Sequence, residues 1–107
     1  VRYMSGGNQQ KAILDRWLGT DARLFILDEP TLGVDIGARR DIYQRTRQLA
    51  DQGRAVLVSS SDAPELLGLC DRILVLWRGA LAANLPTRGL TLDALLVAIN
   101  GGQEPSP

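Results

Sequence analysis

Leu24-Phe25-Ile26-Leu27-Asp28-Glu29-Pro30 decides how the rest of the chain is read. Four large apolar residues run straight into two adjacent carboxylates and a proline. A short apolar run of this kind predicts a strand buried on both faces, as in a parallel sheet. Burying an unpaired carboxylate is costly, so Asp28 and Glu29 belong at the strand's carboxyl end, where the backbone leaves the core. In open α/β sheets that edge is where ligands bind. An aspartate there can hold Mg²⁺, directly or through water, because hard cations take oxygen ligands. A glutamate one residue on points elsewhere and can polarise a water. Together the pair suits metal-assisted phosphoryl transfer, although a solvated strand end looks the same in isolation.

Upstream lies Ser5-Gly6-Gly7-Asn8-Gln9-Gln10-Lys11, in which two glycines let the backbone approach a ligand closely. Ile13, Leu14, Trp17 and Leu18 then fall on one helical face, which predicts a helix from about Asn8. The serine and glycines sit at its N-terminus, where free amides and the positive dipole end suit a phosphate. The plainer alternative is a serine-capped helix. Gly19 to Ala22 forms a turn into the acidic strand.

Downstream, Pro30 ends the strand and Thr31 to Gly37 forms a loop, with Asp35 as the N-cap of a helix over 37–52. Arg39, Arg40, Arg45 and Arg47 are read as solvated on its outer face, and Gly53 as its left-handed stop. Ala55 to Val58 is a second buried strand leading into Ser59-Ser60-Ser61. Asp62-Ala63-Pro64-Glu65 has the spacing of a capping box before a short helix. Ile73 to Trp77 is a third apolar strand. Arg78-Gly79 signals a turn, with Ala80 to Ala83 able to pair back as a hairpin. Thr91 caps a last helix, and Gly101 to Pro107 is a loose tail.

Composition bounds the function. Lysine and arginine balance aspartate and glutamate at 12 each, which argues against a nucleic-acid binder that works by bulk charge. With 45% apolar residues the chain is not disordered. The absence of histidine removes imidazole catalysis and histidine metal sites. The lone Cys70 cannot form an internal disulfide, fits a reducing compartment and reads as a small apolar core residue. No stretch is long enough to span a bilayer.

Strand, helix, strand, helix, strand is the order of an α/β chain with parallel strands and flanking helices. Three strands leave such a sheet with a bare edge, and the chain starts at Val1 just before a glycine-rich motif. Both features lead to the expectation of a partial domain with its N-terminal half missing. The short spacing between motifs predicts no internal domain boundary.

The order of motifs is specific. Ser5-Gly6-Gly7-Asn8-Gln9-Gln10-Lys11 resembles the signature motif of ATP-binding cassette (ABC) ATPases, a branch of the P-loop NTPases. Leu24 to Glu29 resembles their Walker B strand, Thr31-Leu32-Gly33-Val34-Asp35 their D-loop, and Ser59-Ser60-Ser61-Asp62 their switch loop. Asn-Gln-Gln-Lys after Ser-Gly-Gly, Gly-Val-Asp-Ile-Gly-Ala-Arg, and the run from Ser60 to Ile73 are similar to the second nucleotide-binding domain of simple-sugar importers of the ribose, galactose and xylose type. On that likeness residues 1–20 are the signature helix, 21–100 carry Walker B, D-loop, switch loop and C-terminal region, and 101–107 are tail.

The resemblance implies roles. ATP and Mg²⁺ are the expected cofactors. Asp28 would help hold the metal, and Glu29 would be the base that orients the attacking water. Ser5, Gly6 and Gly7, with Asn8 and Gln9 of the same motif, would contact the γ-phosphate of ATP bound to the opposite cassette domain. Asp35 would couple the two sites. The implied partners are a second nucleotide-binding domain, a transmembrane permease and, indirectly, a periplasmic or extracellular sugar-binding protein. The implied place is the cytoplasmic face of a bacterial membrane. Ser61 stands where the family has its switch histidine, which weakens water positioning and γ-phosphate sensing. The P-loop, the Q-loop and the adenine-stacking aromatic do not occur in these residues. The resemblance therefore implies a degenerate site on Asp28 and Glu29, while Ser5-Gly6-Gly7 completes the more active site opposite. The alternatives are a non-catalytic piece that pairs with another cassette, and a soluble, non-transport ABC ATPase.

Overall fold

The computed structural model describes residues 6–101, with side chains in the first helix from Lys11 onward. In chain order the elements are α1 (Gly6–Leu18), β1 (Leu24–Asp28), α2 (Ile36–Asp51), β2 (Ala55–Ser59), α3 (Ala63–Leu69), β3 (Arg72–Trp77), β4 (Ala80–Pro86) and α4 (Leu92–Ile99). They fall into two compact units, one up to Ser60 and one from Ser61.

In the first unit β1 and β2 pair in parallel, from Leu24 opposite Ala55 to Asp28 opposite Ser59. α1 and α2 cover one face of this pair. The core is Leu14 from α1, Phe25 and Leu27 from β1, Val34, and Ile42 and Leu49 from α2, with Trp17, Leu18, Ala38, Val56 and Val58 packed around it. α2 ends as its sequence predicts: Gly53 takes φ 83°, its N–H donates to Ala50 O, and the Arg54 N–H donates to Leu49 O. That pair of bonds satisfies two of the carbonyls a helix end leaves open.

The expectation of strands buried on both faces fails. Phe25 and Leu27 are 5% exposed, but Leu24 and Ile26 are 58% and 62% exposed, and Leu57 of β2 is also open. Alternation puts these residues on opposite faces of the pair, and helices from this unit cover only one. Arg45 also departs from the solvated reading. It is half-buried and its Nε donates to Asp15 of α1 at 2.6 Å.

The second unit is built on an antiparallel hairpin. β3 pairs with β4 from Arg72–Pro86 to Trp77–Ala80, with a bulge at Val75–Leu76. Arg78 and Gly79 both take positive φ, 51° and 82°, the turn that matches strand twist in a two-residue hairpin. β3 is thus not a third strand of the parallel pair; the described strands form two separate two-stranded sheets. The tight turn explains the pairing of β3 with β4, because it brings the next residues straight back along one edge of β3. Ile73, Val75, Ala63 and Leu95 form this unit's core, with half-buried Cys70 at its margin. Both helix starts carry the caps their sequences predict. Asp62 Oδ1 accepts from Glu65 N at 3.0 Å, and Thr91 Oγ1 accepts from Ala94 N at 3.1 Å.

Candidate functional site

The register of β1 and β2 brings both strand ends to one edge, with Asp28 opposite Ser59. Asp28 is exposed there, and its carboxylate pairs with no described residue. The next step is unusual. Glu29 adopts φ 48°, a left-handed backbone that side chains with a β-carbon rarely take, and it precedes a proline, where an extended backbone is the norm. The reason lies in alternation. Phe25 and Leu27 face the core, and an extended continuation would put Glu29 beside them. The left-handed turn breaks the alternation and leaves Glu29 half-buried instead. A carboxylate without a partner would otherwise be forced out of water.

Three features hold this turn. The Glu29 N–H donates to Ser59 O at 2.6 Å, continuing the strand pairing by one bond. Pro30 and Thr31 are buried at the strand exit. Leu32 N–H then donates back to Glu29 O at 3.2 Å, and Val34 N–H to Thr31 O at 3.0 Å. Backbone conformations of this cost cluster where a site requires them.

The loop that follows presents its apolar residues outward. Leu32 is 74% exposed and Ile36 is 85% exposed, on either side of an exposed Asp35. Asp35 does occupy the N-cap of α2, but its side chain makes no capping bond. The helix start is fixed instead by backbone bonds from Ala38 and Arg39 to Asp35 O, and Arg39 Nε donates to Val34 O at 3.1 Å. Asp35 therefore keeps its carboxylate available.

Of the other predicted residues, Gly6, Gly7, Asn8 and Gln9 form the first turn of α1, and Ser5 lies outside the described residues. Ser61 is exposed and opens the second unit. Among the described residues no three of Asp, Glu and Cys cluster to cage a metal. A single exposed carboxylate still fits Mg²⁺, which keeps several waters and takes most of its remaining ligands from substrate phosphates. A shallow hollow between α1 and α2 is lined by Asp15, Gln44, Arg45, Arg47, Gln48 and Asp51. Its charges are already paired, Arg45 with Asp15 and Arg47 with Asp51.

Sequence reasoning missed two things here. The left-handed backbone at Glu29 had a local sign, since a carboxylate falls due on the buried face directly before a proline. Arg54 had none. Its guanidinium bonds to the end of α1, whose carbonyls carry no residue-specific mark.

No protein-family model matches the chain. It is 58% identical over 85 residues to the arabinose import ATP-binding protein AraG of Yersinia pestis, covering 79% of this chain and 16% of that one. It is 53% identical over 97 residues to AraG of Ralstonia nicotianae, covering 90% and 19%. With the ribose import ATP-binding protein RbsA of Pseudomonas putida it shares 48% over 103 residues, covering 96% and 20%. The chain thus spans about a fifth of the length of the curated relatives it matches. A solved structure described as the ATP binding subunit of an ABC transporter superposes with a TM-score of 0.73 at 26% identity, over 92% of this chain and 45% of that one. Over most of its length, then, the chain is homologous to the ATP-binding proteins of ribose and arabinose importers, and it carries part of an ABC-type ATPase domain.

Proposed function

We propose that this chain contributes to an ATPase that energises carbohydrate import, acting at the cytoplasmic face of the cell membrane with a permease and a second cassette domain. The observation that carries the reading is the joint position of Asp28 and Glu29 at the carboxyl edge of a parallel pair, in a chain homologous to sugar-import ATP-binding proteins. No helix among the described residues is long and apolar enough to cross a membrane.

In this reading Asp28 helps to hold Mg²⁺ with ATP phosphates and water. Mg²⁺, if bound there, would supply positive charge that offsets the charge of the phosphates. Glu29 accepts a hydrogen bond from the attacking water and orients it. The amides at the start of α1 offer donors and a positive dipole end to a γ-phosphate held by the opposing domain. The exposed Leu32 and Ile36 beside Asp35 suit a surface that meets another protein body.

Ser61, in place of an imidazole, supports a weak site on Asp28 and Glu29 and a stronger one completed by Ser5-Gly6-Gly7. ATP turnover tests this in the assembled transporter. Ser5→Arg is expected to reduce turnover more than Glu29→Gln. Equal losses would contradict the asymmetry, and no loss from either would overturn the proposed function. The second reading, a non-catalytic piece that pairs with another cassette, is favoured by Ser61 as well. It predicts no dependence of turnover on Glu29 at all.

A further inference from the structure

The side chain of Arg54 joins elements that are far apart in sequence. Its backbone N–H closes the end of α2, and the next residue opens β2, where Ala55 N–H donates to Arg23 O at 2.8 Å. Its guanidinium reaches back to the end of α1. Nη1 donates to Trp17 O at 2.8 Å and Nη2 to Leu18 O at 3.3 Å. The same group lies 5.7 Å from the centroid of the Phe25 ring, and Phe25 stacks on Trp17 with centroids 5.0 Å apart. A cation at a helix C-terminus meets the negative dipole end, here adding to the bonds that Trp17 O already accepts from the Thr20 N–H at 3.0 Å and Thr20 Oγ1 at 2.8 Å. The planar guanidinium presents its donors in a fixed fork to both carbonyls while lying over the ring, a geometry that a flexible ammonium holds less well.

We propose that Arg54 is a positioning residue for the Gly6-Gly7 start of α1, fixing the direction of that helix relative to the acidic strand. Two anchors define a line. Midway along α1, Leu14 is buried and Lys11 and Asp15 pair with Asp41 and Arg45 of α2. Arg54 supplies the second anchor at the far end, directly on β1. From Leu14 to Gly6 the helix axis runs about 12 Å at 1.5 Å per residue. A tilt of about 5° about Leu14 therefore moves Gly6 by about 1 Å, and displacements of about 1 Å at a reacting centre cost on the order of 100-fold in rate. The inference rests on the proposed contact between α1's first residues and a γ-phosphate.

Hydrogen exchange and ATP turnover, measured on the assembled transporter, test it together. Arg54→Ala is expected to speed amide exchange over 11–18 several-fold, leave β1 and β2 unchanged, and reduce kcat about 10-fold or more with KM for ATP within about twofold. Arg54→Lys retains the charge near the carbonyls and should recover part of the kcat, which also covers the case in which the alanine variant does not fold. Equal acceleration of exchange in α1 and in β1–β2 would overturn the proposal, because it would mark a general structural role. So would a normal kcat for Arg54→Ala when Ser5→Arg abolishes turnover. If Ser5→Arg itself leaves turnover intact, the phosphate reading of α1 fails and the positioning role falls with it.

Discussion

In the first unit the side-chain bonds that set the packing join residues 30 or more positions apart: Lys11 to Asp41, Arg45 to Asp15, Arg54 to Trp17. In the second unit the helix-fixing bonds span three or four positions, Asp62 to Glu65, Thr91 to Ala94 and Asn100 to Leu96. Longer ties there run between Thr87 and Cys70 and across the hairpin from Arg72 to Asn84. The difference is one of assembly. Helix caps and a two-residue turn form from local sequence, while a parallel pair must close a long loop before its contacts reward it. The unit with the candidate chemistry is the one whose geometry depends on distant partners.

The sharpest way to break the comparison uses the two tryptophans, one per unit: Trp17 against Phe25, and Trp77 in the hairpin. Leu14→Ala and Leu95→Ala each empty a fully buried site and should each cost about 2–5 kcal/mol. In single-tryptophan variants, Leu95→Ala is expected to shift the denaturant midpoint seen by Trp77 more than that seen by Trp17. Coincident shifts would show that the two units unfold as one.

Gly101→Ala should cost about 1–3 kcal/mol. The residue has φ 73°, and a new β-carbon would stand 3.0 Å from Trp77 Cε2. A thermal melt showing no loss would mean that the end of α4 can leave the hairpin freely.

The caps come next. Asp62→Ala and Thr91→Ala should each cost about 1 kcal/mol, because each removes a donor's partner at a helix start. Asp35→Ala should change stability by less than about 0.5 kcal/mol, since its side chain makes no such bond. A cost at Asp35 equal to the other two, measured by urea titration, would undo the contrast between a structural cap and a carboxylate kept available.

The smallest effect sharpens the long-range side. Asp15→Asn should cost only about 0.2–1 kcal/mol, because the carboxylate is 53% exposed. The loss should shrink as salt is raised. A larger, salt-insensitive loss would mean that the α1–α2 pairing is set by this bond and not by Leu14, Ile42 and Leu49.

What was legible in the sequence follows the same division. The caps at Asp62 and Thr91, the Gly53 stop and the Arg78-Gly79 turn are readable because the groups that bond are neighbours in the chain. The acidic strand end is readable because carboxylates cannot continue into a core. The hairpin partner of Ile73 to Trp77 was readable from the turn, but its separation from the parallel pair was not, since an apolar strand does not declare which sheet it joins. Nor was the open face at Leu24, Ile26 and Leu57, because an apolar run looks alike whether one face or both are covered. Arg45 read as an ordinary surface cation and Arg54 carries no local mark, and only the folded chain shows which carboxylate and which carbonyls they meet.

The twisted backbone at Glu29 has a practical consequence for anyone engineering this segment. Glycine or asparagine would settle there more comfortably than glutamate, so a screen for heat tolerance will be drawn to position 29 early. Each such hit would discard the very carboxylate that the proposed chemistry needs. Stabilising redesign should hold position 29 constant and look for its gains elsewhere, and a variant that melts higher yet no longer turns over ATP is the signature of having ignored that conflict.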